Sequence, residues 1–301
     1  MKIRGVMPFR PLPAALAGFA ILSISTAVAA PRKPAAPTKA AGSAASATPG
    51  PSDWRTPDPQ DVLVIDTNKG RIFVEMAPQV APQTVERIRA LVRQHFYDGQ
   101  TFFRVIEDFM DQTGDPKNNG TGGSSLPNVG PEFTFRRGAD APFTVVDHLD
   151  GQEAGLLGSA PVISQPIALA AMMADNRVNA YGTFCPGVAG MARAGTPDSG
   201  NSQFFLMRGT ETKLDHDYTP WGRVIGGQDV VRAIKVGEPP EAPVDHMDTV
   251  RLLSDLPPSS RPHVRVIDAA SPWFAAYVAR VRADKGDGFT VCDLELPSDI
   301  K

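Results

Sequence analysis

Residues 102–115 read Phe102-Phe103-Arg104-Val105-Ile106-Glu107-Asp108-Phe109-Met110-Asp111-Gln112-Thr113-Gly114-Asp115. One arginine and one glutamine sit among large apolar side chains, and Gly-Asp closes the run. Further along, Met191-Ala192-Arg193-Ala194-Gly195 leads into Asn201-Ser202-Gln203-Phe204-Phe205, a glutamine beside two phenylalanines. Aromatic and β-branched content predicts strands over 102–106 and 109–112, joined by a tight turn at Glu107-Asp108. Strand alternation puts Met110 and Gln112 on one face and Phe109 on the other.

Working outward, Val62-Leu63-Val64-Ile65 is β-rich, and Asn68-Lys69-Gly70 reads as a hairpin turn into the alternating stretch Arg71–Met76. A helix should follow, with Pro82 in its first turn and Val85, Ile88, Leu91, Val92 and Phe96 as its apolar stripe. Downstream, 204–207, 221–225 and 249–253 read as strands and 229–234 as a second helix. Ile167–Ala174 reads as a short helix. Trp273, Phe274, Tyr277, Val278 and Val281 fall at helical spacing, and Phe289–Leu296 reads as a strand. The glycines at 120, 122 and 123 match neither GxxxxGK[ST] nor a complete GxGxxG, which removes the phosphate-cradle reading.

Composition narrows the class. At 42 % hydrophobic and 21 % charged, the 301-residue chain is globular in type. Lys2, Arg4 and Arg10 precede an apolar run from Leu12 to Ala27 that ends in Ala27-Val28-Ala29, the pattern of a cleaved secretory signal. Cleavage after Ala29 removes three basic residues and no acidic ones, taking the formal charge from −3 to −6. An acidic product without a basic cluster argues against nucleic acid or anionic lipid as partner. Residues 30–58, rich in Ala, Pro, Ser and Thr, read as a flexible tether. The two cysteines, Cys185 and Cys292, belong to no CxxC or metal-spaced cluster. They either pair with each other in an oxidising compartment or stay as separate buried thiols.

The two motifs, in this order, resemble the cyclophilin family of peptidyl-prolyl cis/trans isomerases, over roughly Asp61 to Leu256. The resemblance implies a mainly β fold: a closed eight-stranded antiparallel barrel capped by two helices. Relative to that pattern, about 136–184 is an insertion within an isomerase domain spanning 59–256, and 257–301 is a C-terminal extension expected to dock on the domain. Carried over position by position, Arg104 matches the catalytic arginine. Phe109, Met110, Gln112, Gln203 and Phe205 match substrate-contacting residues, as does the backbone at Arg193 and Ala194. Leu214 matches the pocket rim, with Tyr218 where many members have histidine, and the Gly-Thr-Gly-Gly loop borders the groove. Phe103 also replaces a common histidine, and Arg193 a common asparagine. Lys213 stands where many eukaryotic members have a tryptophan that contacts the cyclic-peptide inhibitor, so cyclosporin binding is expected to be weak.

The residue types suit that chemistry. Rotation about a peptide bond meets a barrier of about 18–20 kcal/mol from C–N double-bond character. Lowering it needs no metal, nucleophile or cofactor, only a site that binds the twisted amide better than either planar form. In the twisted state the nitrogen lone pair can accept a hydrogen bond, and the fixed donors of Arg104 suit it. Phe109, Met110 and Phe205 offer an apolar seat for the proline ring, and Gln112 and Gln203 can bond the substrate backbone. No cofactor is expected, and the partners are proline-containing unfolded or partly folded polypeptides. The chain is expected to act as a periplasmic monomer, not inserted in the membrane once its signal is cleaved, in the folding of exported proteins. The rival reading is a non-catalytic chaperone or binding module on the same fold. Ser202, Asp215 and His216 suggest a serine hydrolase, but no GxSxG elbow accompanies them.

Overall fold

The β-rich run at 62–65 and its Asn68-Lys69-Gly70 turn fold as the hairpin expected of them, and this hairpin seeds the main sheet. The computed structural model describes residues 48–301. The signal segment read at 1–29 and tether residues 30–47 lie outside the described residues. In chain order the first elements are β1 (Trp54–Arg55), β2 (Val62–Thr67), β3 (Gly70–Met76), α1 (Pro82–Arg93), β4 (Arg104–Ile106) and β5 (Met110–Thr113). Five strands follow: β6 (Phe135–Arg137), β7 (Phe143–Leu149), β8 (Gln152–Leu157), β9 (Ala160–Ser164) and β10 (Val178–Gly182). Then come β11 (Val188–Met191), β12 (Phe204–Met207), β13 (Thr219–Gly226), α2 (Gln228–Ala233) and β14 (Met247–Leu252). The chain ends with β15 (Val264–Ile267), α3 (Pro272–Lys285) and β16 (Ser298–Ile300).

Eight strands form one curled antiparallel sheet in the order β14-β2-β3-β13-β11-β12-β5-β4. Its inner face buries Leu63, Ile65, Ile72, Val74, Phe204, Leu206 and Trp221 against Val85, Ile88, Leu91 and Val92 of α1. The expected closed barrel is not formed by a continuous ladder. Between the edges β4 and β14 stand only isolated bridges, Thr101–His246 and Val105–Gly237, made by the segments before β4 and before β14 and by β4 itself. The reason is chemical: Pro239, Pro240 and Pro243 on this seam have no N–H to donate, and β4 has only three residues.

The amino end of α1 shows how distant residues complete a local element. Its N-cap, Ala81, has no side-chain acceptor. The buried Glu132 carboxylate fills the role, accepting from Gln83 N at 2.9 Å and Thr84 N at 2.8 Å.

Two further sheets lie beside the main one. β6-β10-β9-β8-β7 is a five-stranded sheet, where the sequence reading placed only a short helix. That helix is a 3-10 helix over Ile167–Met172. β1-β15-β16 joins the amino-terminal end of the described chain to its carboxyl-terminal end. The strand predicted over 289–296 is absent. Thr290 and Asp293 cap a 3-10 turn there with reciprocal side-chain bonds, and Cys292 is bonded to Cys185. Trp273, Phe274, Phe289, Val291 and Leu294 belong to the same buried cluster as Met110, Phe205 and Met207 of the main sheet.

Among the described residues no helix is long and apolar enough to cross a membrane. No group of three or more His, Cys, Asp or Glu among them could hold a metal ion.

Candidate active site

Register across three strands builds the site. Arg104 on β4 lies opposite Gln112 on β5, and Gln112 lies opposite Phe205 on β12. Gly190 on β11 continues the row beside Phe205. A side chain at Gly190 would strike the rings of Phe205 and Phe184, so glycine there is what lets the Phe205 ring lie over β11. Phe184 stacks on Phe205 at 5.8 Å and Tyr218 meets it edge-on at 5.9 Å, which fixes the ring from two sides.

These residues enclose a cavity of about 220 Å³ lined by Arg104, Phe109, Met110, Gln112, Ala192, Arg193, Phe205, Leu214 and Tyr218. Alternation along β5 separates Phe109 from Met110 and Gln112, yet all three line the cavity. The reason is the turn: Asp108 adopts a positive φ of 58°, and Phe109 lies in that turn before the strand begins. Ala192 belongs to the lining and was not singled out from sequence; its place directly before Arg193 in the second motif was the available signal.

Two of the residues predicted for the site are not in the lining. Gln203 stands behind Gln112, and the exposed Ala194 has its backbone groups engaged elsewhere. Its N–H donates to Ser199 Oγ at 2.9 Å and its carbonyl accepts from Arg193 Nη1 at 3.0 Å. Arg193 lies over the Tyr218 ring at 4.6 Å and donates from Nε to Asp217 O at 2.7 Å. Its side chain therefore braces the wall that carries Tyr218.

A hydrogen-bonded relay runs along the polar side. Arg104 Nη1 approaches Gln112 Oε1 at 3.4 Å, and Gln112 Nε2 donates to Gln203 Oε1 at 3.0 Å. Gln203 Nε2 then donates to the carbonyls of Gly120 and Gly122 at 3.1 and 2.7 Å. Arg104 Nε donates to Glu238 Oε2 at 2.7 Å, rather than to Glu107 or Asp108, the nearby acids in sequence. Glu107 pairs with Arg208 instead.

The glycine-rich loop is shaped by Asp115, whose carboxylate accepts from the amides of Lys117, Asn119 and Gly120. Burial opposes ionisation of Asp115, but those amides hold its carboxyl below the ordinary range. The loop's N–H groups thus turn inward onto a carboxylate. Asp111, between Met110 and Gln112, points to the opposite face and is fully buried. Burial pushes its carboxyl up to about 7, against the pull of Arg208 Nε at 2.7 Å. Burial also raises Asp215, which accepts from Thr183 Oγ1 and Phe184 N and so ties the loop bearing Leu214 and Tyr218 to the strand connection before Cys185. Ser202 is buried, with its hydroxyl donating to Gly114 O at 2.8 Å, which leaves the hydrolase reading without a nucleophile.

Such a site has a cation with oriented donors at one end, an aromatic and aliphatic seat in the middle, and amides along one edge. It can hold a small apolar ring while offering hydrogen bonds to an adjacent amide. Known proteins agree with that description. The family model described as cyclophilin type peptidyl-prolyl cis-trans isomerase/CLD matches residues 62–254. The chain is 31 % identical over 195 residues to a probable peptidyl-prolyl cis-trans isomerase of Brucella suis, covering 61 % of this chain and 76 % of that protein. It is 28 % identical over 203 residues to human peptidyl-prolyl cis-trans isomerase-like 1, covering 67 % of this chain and 94 % of that one. Among solved structures, cyclophilin AquaCyp293 from Hirschia baltica superposes with a TM-score of 0.76 at 36 % identity, over 83 % of this chain and 94 % of that one.

Proposed function

Since the chain belongs to the cyclophilin-type peptidyl-prolyl cis-trans isomerases, we propose that the cavity at Arg104 is its isomerase site and that its substrates are X-Pro segments of exported polypeptides. The observation that carries this reading is the row Arg104–Gln112–Phe205, one side chain from each of three adjacent strands, all lining one cavity. The proline ring sits on Phe205 and Met110 between Phe109, Leu214 and Ala192. Gln112, held by Gln203, bonds the substrate backbone. As the X-Pro bond twists, its nitrogen lone pair leaves conjugation and accepts from an Arg104 guanidinium N–H. That contact is stronger in the twisted state than in either planar state, and this difference is what accelerates rotation.

Periplasmic action is supported by the basic and apolar leader ending in Ala27-Val28-Ala29. The Cys185–Cys292 disulfide favours an oxidising compartment.

The test is isomerisation of a short X-Pro peptide, followed by NMR exchange or by coupled proteolysis. The wild type should accelerate it, and Arg104→Ala should lower kcat/KM by about 10²–10³-fold, the range for removing one oriented transition-state donor. If Arg104→Ala retains full activity, the site is misassigned. A wild type without turnover that still protects unfolded chains from aggregation would favour the binding-module reading.

A further inference from the structure

Glu238 is exposed and lies 134 residues from Arg104 in sequence, yet its carboxylate accepts from Arg104 Nε at 2.7 Å. The backbone fixes this meeting. Val105 and Gly237 exchange both of their backbone hydrogen bonds, at 2.8 and 2.9 Å, so each neighbour of the bridged pair faces the other. Behind Glu238 the chain is restrained by Pro239 and Pro240, whose rings fix φ. The loop is fastened at its far end, where Asp245 takes Lys235 N on its side chain and Phe102 N on its carbonyl.

Arginine has a long side chain with many rotamers to lose. The Arg104 side chain is 40 % exposed. Among the described residues, its remaining hydrogen bond without Glu238 is the 3.4 Å approach of Nη1 to Gln112, too long to hold a guanidinium in one plane. Glu238 takes Nε. Among the described residues, Nη2 then has no protein partner, while the side chain lines the cavity.

Resting on the isomerase reading above, we propose that Glu238 is a positioning residue for the reaction. It accepts from Nε, fixes the plane of the guanidinium before substrate arrives, and leaves Nη2 for the twisting amide. Ordering that would otherwise oppose the transition state is thereby built into the resting protein. Glu238 itself touches no reacting atom.

The experiment measures kcat and KM of the full chain for wild type, Glu238→Ala, Glu238→Gln and the Glu238→Ala/Arg104→Ala double variant. It also measures solvent exchange of the Arg104 Nε–H proton by ¹⁵N NMR. Glu238→Ala should lower kcat about fivefold with KM little changed, the scale of one half-exposed charged contact. Glu238→Gln, which keeps an acceptor oxygen, should recover most of that loss. On the Arg104→Ala background Glu238→Ala should have no further effect. Nε–H exchange should quicken in Glu238→Ala and return towards the wild-type rate in Glu238→Gln. An unchanged kcat, a raised kcat (the carboxylate acting as a brake), or a loss that persists without Arg104 overturns the proposal. Unaltered Nε–H exchange overturns it as well. A wild type without isomerase activity removes the underlying reading and this one with it, and that failure is distinguishable because it appears before any substitution is made.

Discussion

Removing the Cys185–Cys292 bond should cost the protein much of its stability. The bond joins residues 107 apart in sequence. Closing a loop of that length removes enough freedom from the unfolded chain to be worth about 4–5 kcal/mol in the chain-entropy relation. Cys185 is fully buried among Phe184, Phe205, Val291 and Leu294. Alanine at that position therefore leaves a gap as well as a longer free chain, whereas reduction keeps the sulfur in place. Urea unfolding followed by tryptophan fluorescence should report Trp54, Trp221 and Trp273 together. With m near 2–3 kcal/mol/M, the midpoint should fall by about 2 M in Cys185→Ala/Cys292→Ala and slightly less in reduced wild type, and m itself should rise as the unfolded chain expands. Below the transition, isomerase activity should be retained, because ladder pairing from β4 through β5 to β12 holds Arg104, Gln112 and Phe205. A loss below about 1 kcal/mol in both forms would refute the reasoning, since no loop this long could then be constraining the unfolded state.

Two other consequences follow from buried carboxylates. Glu132→Ala strips two N–H groups at the start of α1 of their acceptor and should cost about 2–3 kcal/mol, seen by calorimetry as a fall in Tm of about 5–10 °C. A fall under about 2 °C would mean that water serves those amides equally well. Asp111 is held above its unfolded value of about 3.9 and reaches about 7 in the folded protein. Between those limits the folded state binds the proton more tightly, so its contribution to stability is full below pH 4 and declines as pH rises towards 7. The stability of wild type minus that of Asp111→Asn should therefore fall with rising pH across this window, and a difference that grows instead would show that the Arg208 pairing outweighs burial.

Local signals carried individual elements rather than the strand order. Asn68-Lys69-Gly70 between two β-rich runs specified the β2–β3 hairpin, and Val85, Ile88, Leu91 and Val92 specified α1, although the helix ends at Arg93 and the fifth stripe residue, Phe96, lies in the turn beyond it. The five-stranded sheet was missed although Asp150-Gly151, a turn pair between β-rich runs, marks its β7–β8 hairpin, with Gly151 at a φ of 71°. Against the family pattern this stretch reads as an interruption, and its short strands alternate too weakly to stand out on their own. Around the cavity, Arg104, Gln112, Gln203 and Phe205 were marked by the two motifs and the family resemblance they carry; strand periodicity alone did not bring them together.

Residue chemistry and local periodicity are properties of short stretches, so sequence alone marked the β2–β3 hairpin, α1 and the side chains whose chemistry suits a twisted amide. Long-range register is set by pairing among strands far apart in the chain, and only the tertiary structure decided it. The row Arg104–Gln112–Phe205 needs β12 to lie against β5. The Asp108 turn brings Phe109 round to the face of Met110, against simple alternation. The cysteine pairing and the contact of Glu238 with Arg104 each depend on bringing together segments more than a hundred residues apart, which no local pattern encodes.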